Sequence, residues 1–296
     1  MIYIIGNTLF GYPKMTEIQF DYFKSFFIPY LKKVYREGDV LVHTGNIFYN
    51  KQSVNFKVLK DTFEIFDELS TFIQIFVLRG SNDEFSIDLI ARNKNIKIIK
   101  ETKKVKNIMF IPEGEFLMPD NDTEYLFYHT PLKELSGIKR SFNGFHSNEK
   151  GNDINISIGS PYQLNKDFSL IEHGLYEFSL KQNELRLISN NYSPKFKEIY
   201  IDDISELPTI SQDNKDFIDL IVTSKAVEKI ENKNKLDIFV NNNNISNVYF
   251  TDDTILPDED IVIKNNDIRD ILTENAKSEI KDNLNEVFSI YDNTRK

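Results

Sequence analysis

The chain has 296 residues, with 36 Lys and Arg against 46 Asp and Glu, a net charge of −10, four His, and neither Cys nor Trp. The missing Cys excludes a disulfide framework, a zinc ribbon, an iron–sulfur cluster and a cysteine nucleophile, and with so few His any metal site must rest mostly on carboxylates or Asn. The acidic balance argues against broad nucleic-acid binding, which needs clustered Lys and Arg.

No run reaches the roughly 18 apolar residues of a membrane span. The opening Met1–Ile5 is too short for a signal h-region and has no basic n-region, so a cytoplasmic protein is expected. Thirty-one Asn against three Ala reflects the codon bias of a genome rich in A and T.

In chain order, the first 130 residues alternate strand and helix. Ile2–Ile5 predicts a buried strand ending at Gly6-Asn7. Thr16–Arg36 predicts a helix with Phe20, Phe23, Phe27, Leu31 and Val34 on one face. Val40–His43 is the next strand and ends at Thr44-Gly45-Asn46. Phe56–Leu69 has helical spacing. Phe72–Leu78 is a continuous apolar strand ending at Gly80-Ser81-Asn82-Asp83. Strand, glycine turn and helix, three times over, is the pattern of an α/β sheet. Ligands of such sheets sit at the carboxyl ends of the strands, in these turns.

Beyond residue 95 the pattern turns β-rich, with apolar runs at 96–99, 108–111, 125–128, 154–158, 175–180, 185–188 and 196–201. Arg92–Lys106 holds seven basic residues and one acidic one, a solvated edge or a nucleic-acid groove. A boundary falls near 202–214, where Asp, Ser, Pro and Gln accumulate. The small unit after it reads as strand 217–222, helix 224–232, strand 236–240, an Asn turn 241–244 and strand 245–250, followed by an acidic link. In the last segment Ile268, Leu272, Ala276, Ile280, Leu284, Val287 and Tyr291 step by three or four, an amphipathic pattern. The expected division is 1–201, 202–262 and 263–296.

The glycine turns have an order and spacing that resemble the calcineurin-like metallophosphoesterases. Within them the resemblance is to the SbcD family of nuclease subunits, with the phage-type recombination endonuclease subunits nearest. The first motif, G-D-x-H-x-G in the family, is Gly6-Asn-Thr-Leu-Phe-Gly11 here. The second, G-D-x-F-D, is Gly45-Asn-Ile-Phe-Tyr49, and the third, G-N-H-D, is Gly80-Ser-Asn-Asp83. The fourth, a strand ending in His, is Leu126-Phe-Tyr-His129, and the fifth, G-H-x-H, is Asn143-Gly-Phe-His146. Ile158-Gly-Ser-Pro161 and Gly174-Leu-Tyr176 follow as in the family. The resemblance covers nearly the whole chain. It implies an α/β two-sheet metallophosphoesterase sandwich flanked by helices, a small α+β cap and a C-terminal helix.

The family uses two divalent cations about 4 Å apart to make a hydroxide and clamp phosphate. Two such ions repel by ~17 kcal/mol at an effective dielectric of 20, so a bridging carboxylate is needed. Carried over by position, the first-motif Asp is Asn7 and its His is Leu9. The bridging Asp is Asn46, the third-motif Asn is Ser81, and the catalytic His is Asn82. The first His of the fifth motif is Gly144, although sliding that motif by one residue changes the roles of Gly144 and His146. Asp83 remains, but the family uses it to orient the missing His. His129 and His146 remain as ligands, and one divalent metal between them is the alternative to no cofactor. His43 has no family counterpart and reads as a core or rim histidine; His173 is expected to be exposed.

An amide brings no charge, bridges metals poorly and does not titrate usefully. The implied function is a catalytically inactive phosphoesterase fold kept as a structural or scaffolding subunit of a protein assembly, with phage origin expected. The alternatives are a non-catalytic partner of an SbcC-like ATPase in recombination or repair, and an active metal-dependent nuclease with an atypical site. For the ATPase partner, Ile268, Leu272, Ile280, Leu284 and Val287 would be the docking stripe; its other reading is packing on the protein's own body.

Overall fold

The computed structural model describes residues 1–83, 87–129, 137–144, 153–164, 172–210, 216–227, 230–242 and 245–251. Within these, β1 (Ile2–Ile5), β2 (Val40–His43), β3 (Gln74–Leu78) and β4 (Ile96–Ile99) run parallel. Two antiparallel strands, β10 (Gly174–Ser179) and β11 (Glu184–Ser189), extend this sheet in the order β11-β10-β1-β2-β3-β4. A second sheet takes the order β5-β6-β7-β8-β9, from Lys103–Val105, Ile108–Ile111, Tyr125–Tyr128, Arg140–Asn143 and Asn155–Ser157. The chain is thus α/β, with helices attached to mixed sheets.

The two-residue period of a strand decides which core each side chain joins. In β1, Tyr3 and Ile5 pack towards the helices, with Leu41, Ile75 and Val77. Ile2 and Ile4 point the other way, with Val42 and Leu78, into a core shared with Phe110, Tyr125, Phe127, Phe142 and Ile156 of the second sheet. The two sheets therefore pack face to face. A run of rings crosses between them: Phe76–Phe110 at 5.8 Å, Phe110–Phe127 at 5.3 Å, Phe127–Phe142 at 4.7 Å and Phe142–Phe178 at 5.0 Å. Each buried Phe contributes roughly 2–3 kcal/mol and each ring pair about 1 kcal/mol more.

The predicted helix 16–36 is present in three joined parts: α1 (Thr16–Asp21), a π-helical segment (Tyr22–Phe27) and α2 (Ile28–Val34). Pro29 has no N–H to give the preceding turn, and the hydrogen-bond ladder changes period just before it. Phe20, Phe23, Phe27 and Leu31 are all buried, as their spacing predicts. Helix α3 (Phe56–Ser70) is capped by Asn55, whose side chain accepts from the N–H of Lys57.

The third sheet corrects the expected layout of the small unit. Strands β12 (Phe196–Ile201), β13 (Phe217–Thr223) and β14 (Ile245–Thr251) pair in parallel. The strand 196–201, which the sequence leaves in the first unit, thus pairs within the small one. Residues 236–240, expected as a strand, lie in α4 (Ile230–Asn242), and residues 224–227 form a short 3-10 turn. Two parallel strands need a long crossover, and a helix supplies it. Leu236, Phe239 and Val240, at helical spacing, pack on Leu220 and Val222. Residues 263–296, expected as a helical segment, lie outside the described residues.

Candidate functional site

Five chain turns meet where the strands end. β1, β2 and β3 are parallel, so their carboxyl ends and the turns 6–7, 44–46 and 80–83 share one edge. β7 and β8 of the second sheet bring His129 and Gly144 to the same place: His129 Nδ1 lies 2.7 Å from the Thr44 carbonyl, and the Asn7 amide donates to the Gly144 carbonyl at 3.0 Å. Asn7, Leu9 and Asn46 take left-handed backbone angles, with φ of 48°, 46° and 58°. Asn tolerates this conformation; for Leu it costs roughly 1–2 kcal/mol. The kinks keep the two chains side by side past the strand ends, with the N–H of Asn7, Leu9 and Phe10 donating to the carbonyls of Gly45, Asn46 and Ile47. Among the described residues, the other non-glycine residues with positive φ are Lys14, Lys106 and Asn183, away from these turns.

Asn7 is fully buried, and its NH2 donates to two carbonyls, Ile158 at 2.7 Å and Gly144 at 3.0 Å. Its oxygen accepts from Asn46 Nδ2 at 3.0 Å. The Asn46 oxygen accepts from the Asn82 N–H at 3.0 Å and the Ser81 hydroxyl at 3.2 Å. The orientation of both amides is thereby determined, because carbonyls surround one NH2 and an N–H faces the other oxygen. Asn82 turns its own amide away and donates to the Tyr49 carbonyl at 3.0 Å.

Asp83 ties the second turn to the third. One carboxylate oxygen accepts from the N–H of Asn46 at 2.7 Å and Gly80 at 2.9 Å; the other accepts from Ile47 at 2.8 Å. Burial pushes its carboxyl up to about 6, against the backbone N–H groups that pull it down.

His43 belongs to the site, which its sequence position did not signal beyond the strand end it occupies. Its Nδ1 accepts the Gly45 N–H at 3.1 Å, so the proton sits on Nε2, which donates to Thr8 Oγ1 at 3.1 Å. Thr8 passes the chain on to the Ile47 carbonyl at 3.0 Å. Burial, and the neighbouring His129, lower the His43 imidazole to about 3; burial lowers His129 to about 4. Both rings are neutral at pH 7, and His129 carries its proton on Nδ1, facing the Thr44 carbonyl. Gln19 and Tyr162 complete the support without any motif to announce them: Gln19 Nε2 donates to the carbonyls of Thr8 and Leu9 at 3.1 and 3.0 Å, and the Tyr162 hydroxyl donates to the Thr8 carbonyl.

Position 144 is a packing position. A Cβ there would lie 2.1 Å from the Thr44 carbonyl oxygen and 2.8 Å from His129 Nδ1. No side chain, and so no ligand His, fits this backbone. Gly80 is similar, with a Cβ falling 2.4 Å from the Asn46 nitrogen. Asn7, Leu9, Asn46, Ser81, Asn82, Asp83, His129 and Gly144 are thus brought together. His146 lies outside the described residues, as do Ile268, Leu272, Ile280, Leu284 and Val287. His173 is half-buried, with Nδ1 2.9 Å from the Ser160 carbonyl.

These residues do not fit the pair of divalent cations that the resemblance implies. The amide oxygens of Asn7 and Asn46 already accept protein hydrogen bonds, and the Asn7 NH2 faces carbonyls that a carboxylate would repel. The remaining carboxylate, Asp83, spends both oxygens on backbone N–H groups. Among the described residues no three His, Asp or Glu side chains gather as a metal-binding group.

No protein-family model and no curated protein matches the chain. Among solved structures, one of a protein of unknown function from Aquifex aeolicus is similar over 54% of this chain and 89% of its own, at 16% identity and a TM-score of 0.32. Among the described residues no helix is long and apolar enough to cross a membrane.

Proposed function

We propose that the protein is a catalytically inactive relative of the SbcD-type metallophosphoesterases, serving as a structural subunit of a larger protein assembly, in a phage. On this reading the two face-to-face sheets are a metallophosphoesterase sandwich and the third sheet is its cap. The observation that carries it is the Asn7–Asn46–Asn82 network. Amides stand at the positions that the motif spacing assigns to charged ligands, and their hydrogen bonds are made to one another and to the backbone. The glycine turns that shape such a site are kept, and Asp83 and His43 serve to knit them together. What is retained holds the fold; what is replaced would have held metal.

The test has two parts. Manganese is titrated into the protein by calorimetry, and hydrolysis of bis-p-nitrophenyl phosphate and of duplex DNA is followed with manganese present. No saturable binding at these residues and no hydrolysis above buffer are expected. Manganese-dependent cleavage that disappears in His129→Ala would overturn the proposal. Sedimentation of a native extract addresses the assembly: the chain should migrate in a particle much larger than 34.7 kDa, and a monomer throughout would count against the structural role.

A further inference from the structure

The connection from β6 to β7 presents a surface that solvation alone does not favour. Residues 112–124 hold five acidic residues and no Lys or Arg. In their midst Phe116, Leu117 and Met118 are 78%, 52% and 65% exposed. Three consecutive large apolar side chains left in water mark a contact surface. The base of this knob is pinned. The Arg79 guanidinium donates to the Glu113 carbonyl at 2.6 Å, and the Thr102 hydroxyl donates to the Glu115 carboxylate at 3.4 Å. A knob held in place loses less freedom on binding than a loose one. Glu113 and Glu115 give it an acidic collar, which an anionic lipid surface would repel.

The same chain carries a recess of complementary chemistry. It has a volume of about 500 Å³ and lies between the turn after β1, residues 49–55 and the first turn of α3. Phe10 and Val58, both buried, form its floor, and Pro13, Tyr49 and Val54 its apolar walls. Tyr49 is set edge-on against Tyr12 at 4.8 Å. No Asp or Glu is among its described lining residues, and Lys57 is the charged one. The Lys57 ammonium lies 3.9 Å from Glu17, with both side chains exposed, a pair worth little in water. The recess has the size of sites that take small ligands, so a Phe side chain and its neighbour can enter it.

We propose that Phe116–Met118 of one copy of the chain seats in the Phe10–Tyr49–Val58 recess of a second copy. Apolar side chains meet apolar walls, and the acidic collar of the knob meets Lys57 and a lining without carboxylates. The knob is exposed in its own chain, so it does not fill its own recess. A contact of this size is weak between two copies and gains strength when it is repeated through an assembly. The inference rests on the reading of the chain as an assembly subunit, and it names the partner as the chain itself. Knob and recess are different segments, so a copy lacking one can still be joined by a copy lacking the other.

That property sets the test. The purified full-length chain is followed by sedimentation equilibrium from about 1 μM to about 1 mM, the range in which weak contacts form. Its mass should rise with concentration. Phe116→Asp spoils the knob, and Ser53→Trp fills the recess from an exposed lining position. Each variant alone should stay monomeric with the circular dichroism of the parent, and their equimolar mixture should give a species of twice the monomer mass. Lys57→Glu, an exposed change that spares the fold, should weaken association about fivefold, the scale of one ion pair. A parent that is monomeric throughout, variants that associate as the parent does, or a mixture that stays monomeric would each overturn the proposal. If that happens while the native chain still sediments in a large particle, the self-contact fails and the structural role stands.

Discussion

At the scale of single residues, Asn7 separates a structural amide from a degraded ligand. Its NH2 faces two carbonyls at 2.7 and 3.0 Å. Asn7→Asp replaces a double donor by a charge aimed at two acceptors in a buried site, a loss of about 3 kcal/mol. Urea unfolding should show it. Manganese should not restore the loss, because Asn46 still offers no bridging charge; full rescue by manganese would mean that the turn remains a metal site awaiting its carboxylate.

The buried imidazoles make a second prediction at the same scale. His43 and His129 have folded values near 3 and 4, below the ordinary 6.5 of the unfolded chain. A lowered value of this kind contributes stability that is full above pH 6.5 and is lost as pH falls towards 4 and 3. Asp83 works in the opposite sense. Its folded value, about 6 against 3.8 unfolded, favours the fold at low pH and loses that contribution as pH rises from 4 to 6. The two histidines together outweigh the one carboxyl, at about 1.4 kcal/mol per unit. Stability should therefore fall from pH 6.5 to 4, and His43→Asn should flatten the slope. A slope unchanged in that variant would show that His43 is not the group responsible.

Elements carry a different kind of prediction. Gly144 follows β8, where a Cβ would meet the backbone carbonyl of Thr44 at 2.1 Å and the buried ring of His129 at 2.8 Å. The contact cannot be relieved without moving β2 from β8, so Gly144→Ala should lower stability by about 3 kcal/mol in urea unfolding. Gly137→Ala is the control for lost turn flexibility, since nothing stands within 4 Å of its Cβ, although its φ of 81° carries some strain of its own. An equal loss in the two variants would refute the packing account.

The same scale shows what was legible in the sequence. The strand-and-glycine rhythm located β1, β2, β3 and the turns that hold Asn7, Asn46 and Asp83, because a glycine at a strand end is a local backbone requirement. Strand β8, Arg-Ser-Phe-Asn, has one large apolar residue and raised no signal of its own. Residues 236–240 read as a strand because a short apolar run fits both periods; only the parallel pairing of β13 with β14, a long-range fact, decides for the helix. His43 escaped for the same reason. Its partners are the Gly45 N–H and Thr8, a threonine in the turn after β1, which no spacing records.

For the whole molecule, the distribution of cores predicts how the chain comes apart. The two sheets share one core between them and a second beneath the helices, and both are closed by residue 192. The third sheet has a cluster of its own with no member in common with either. A named tie between them is one hydrogen bond, from the Phe196 N–H to Gln163 at 2.9 Å, worth about 1 kcal/mol. A body of nearly 200 residues is large enough to fold alone. A chain ended after Lys195 should therefore keep its near-ultraviolet dichroism and melt within a few degrees of the parent's main transition. The parent should show a further transition, at another temperature, from the small unit. If the shortened chain is unfolded, or the parent melts in a single step with matching calorimetric and van't Hoff enthalpies, the units are one cooperative body and the third sheet supports the site that the amides occupy.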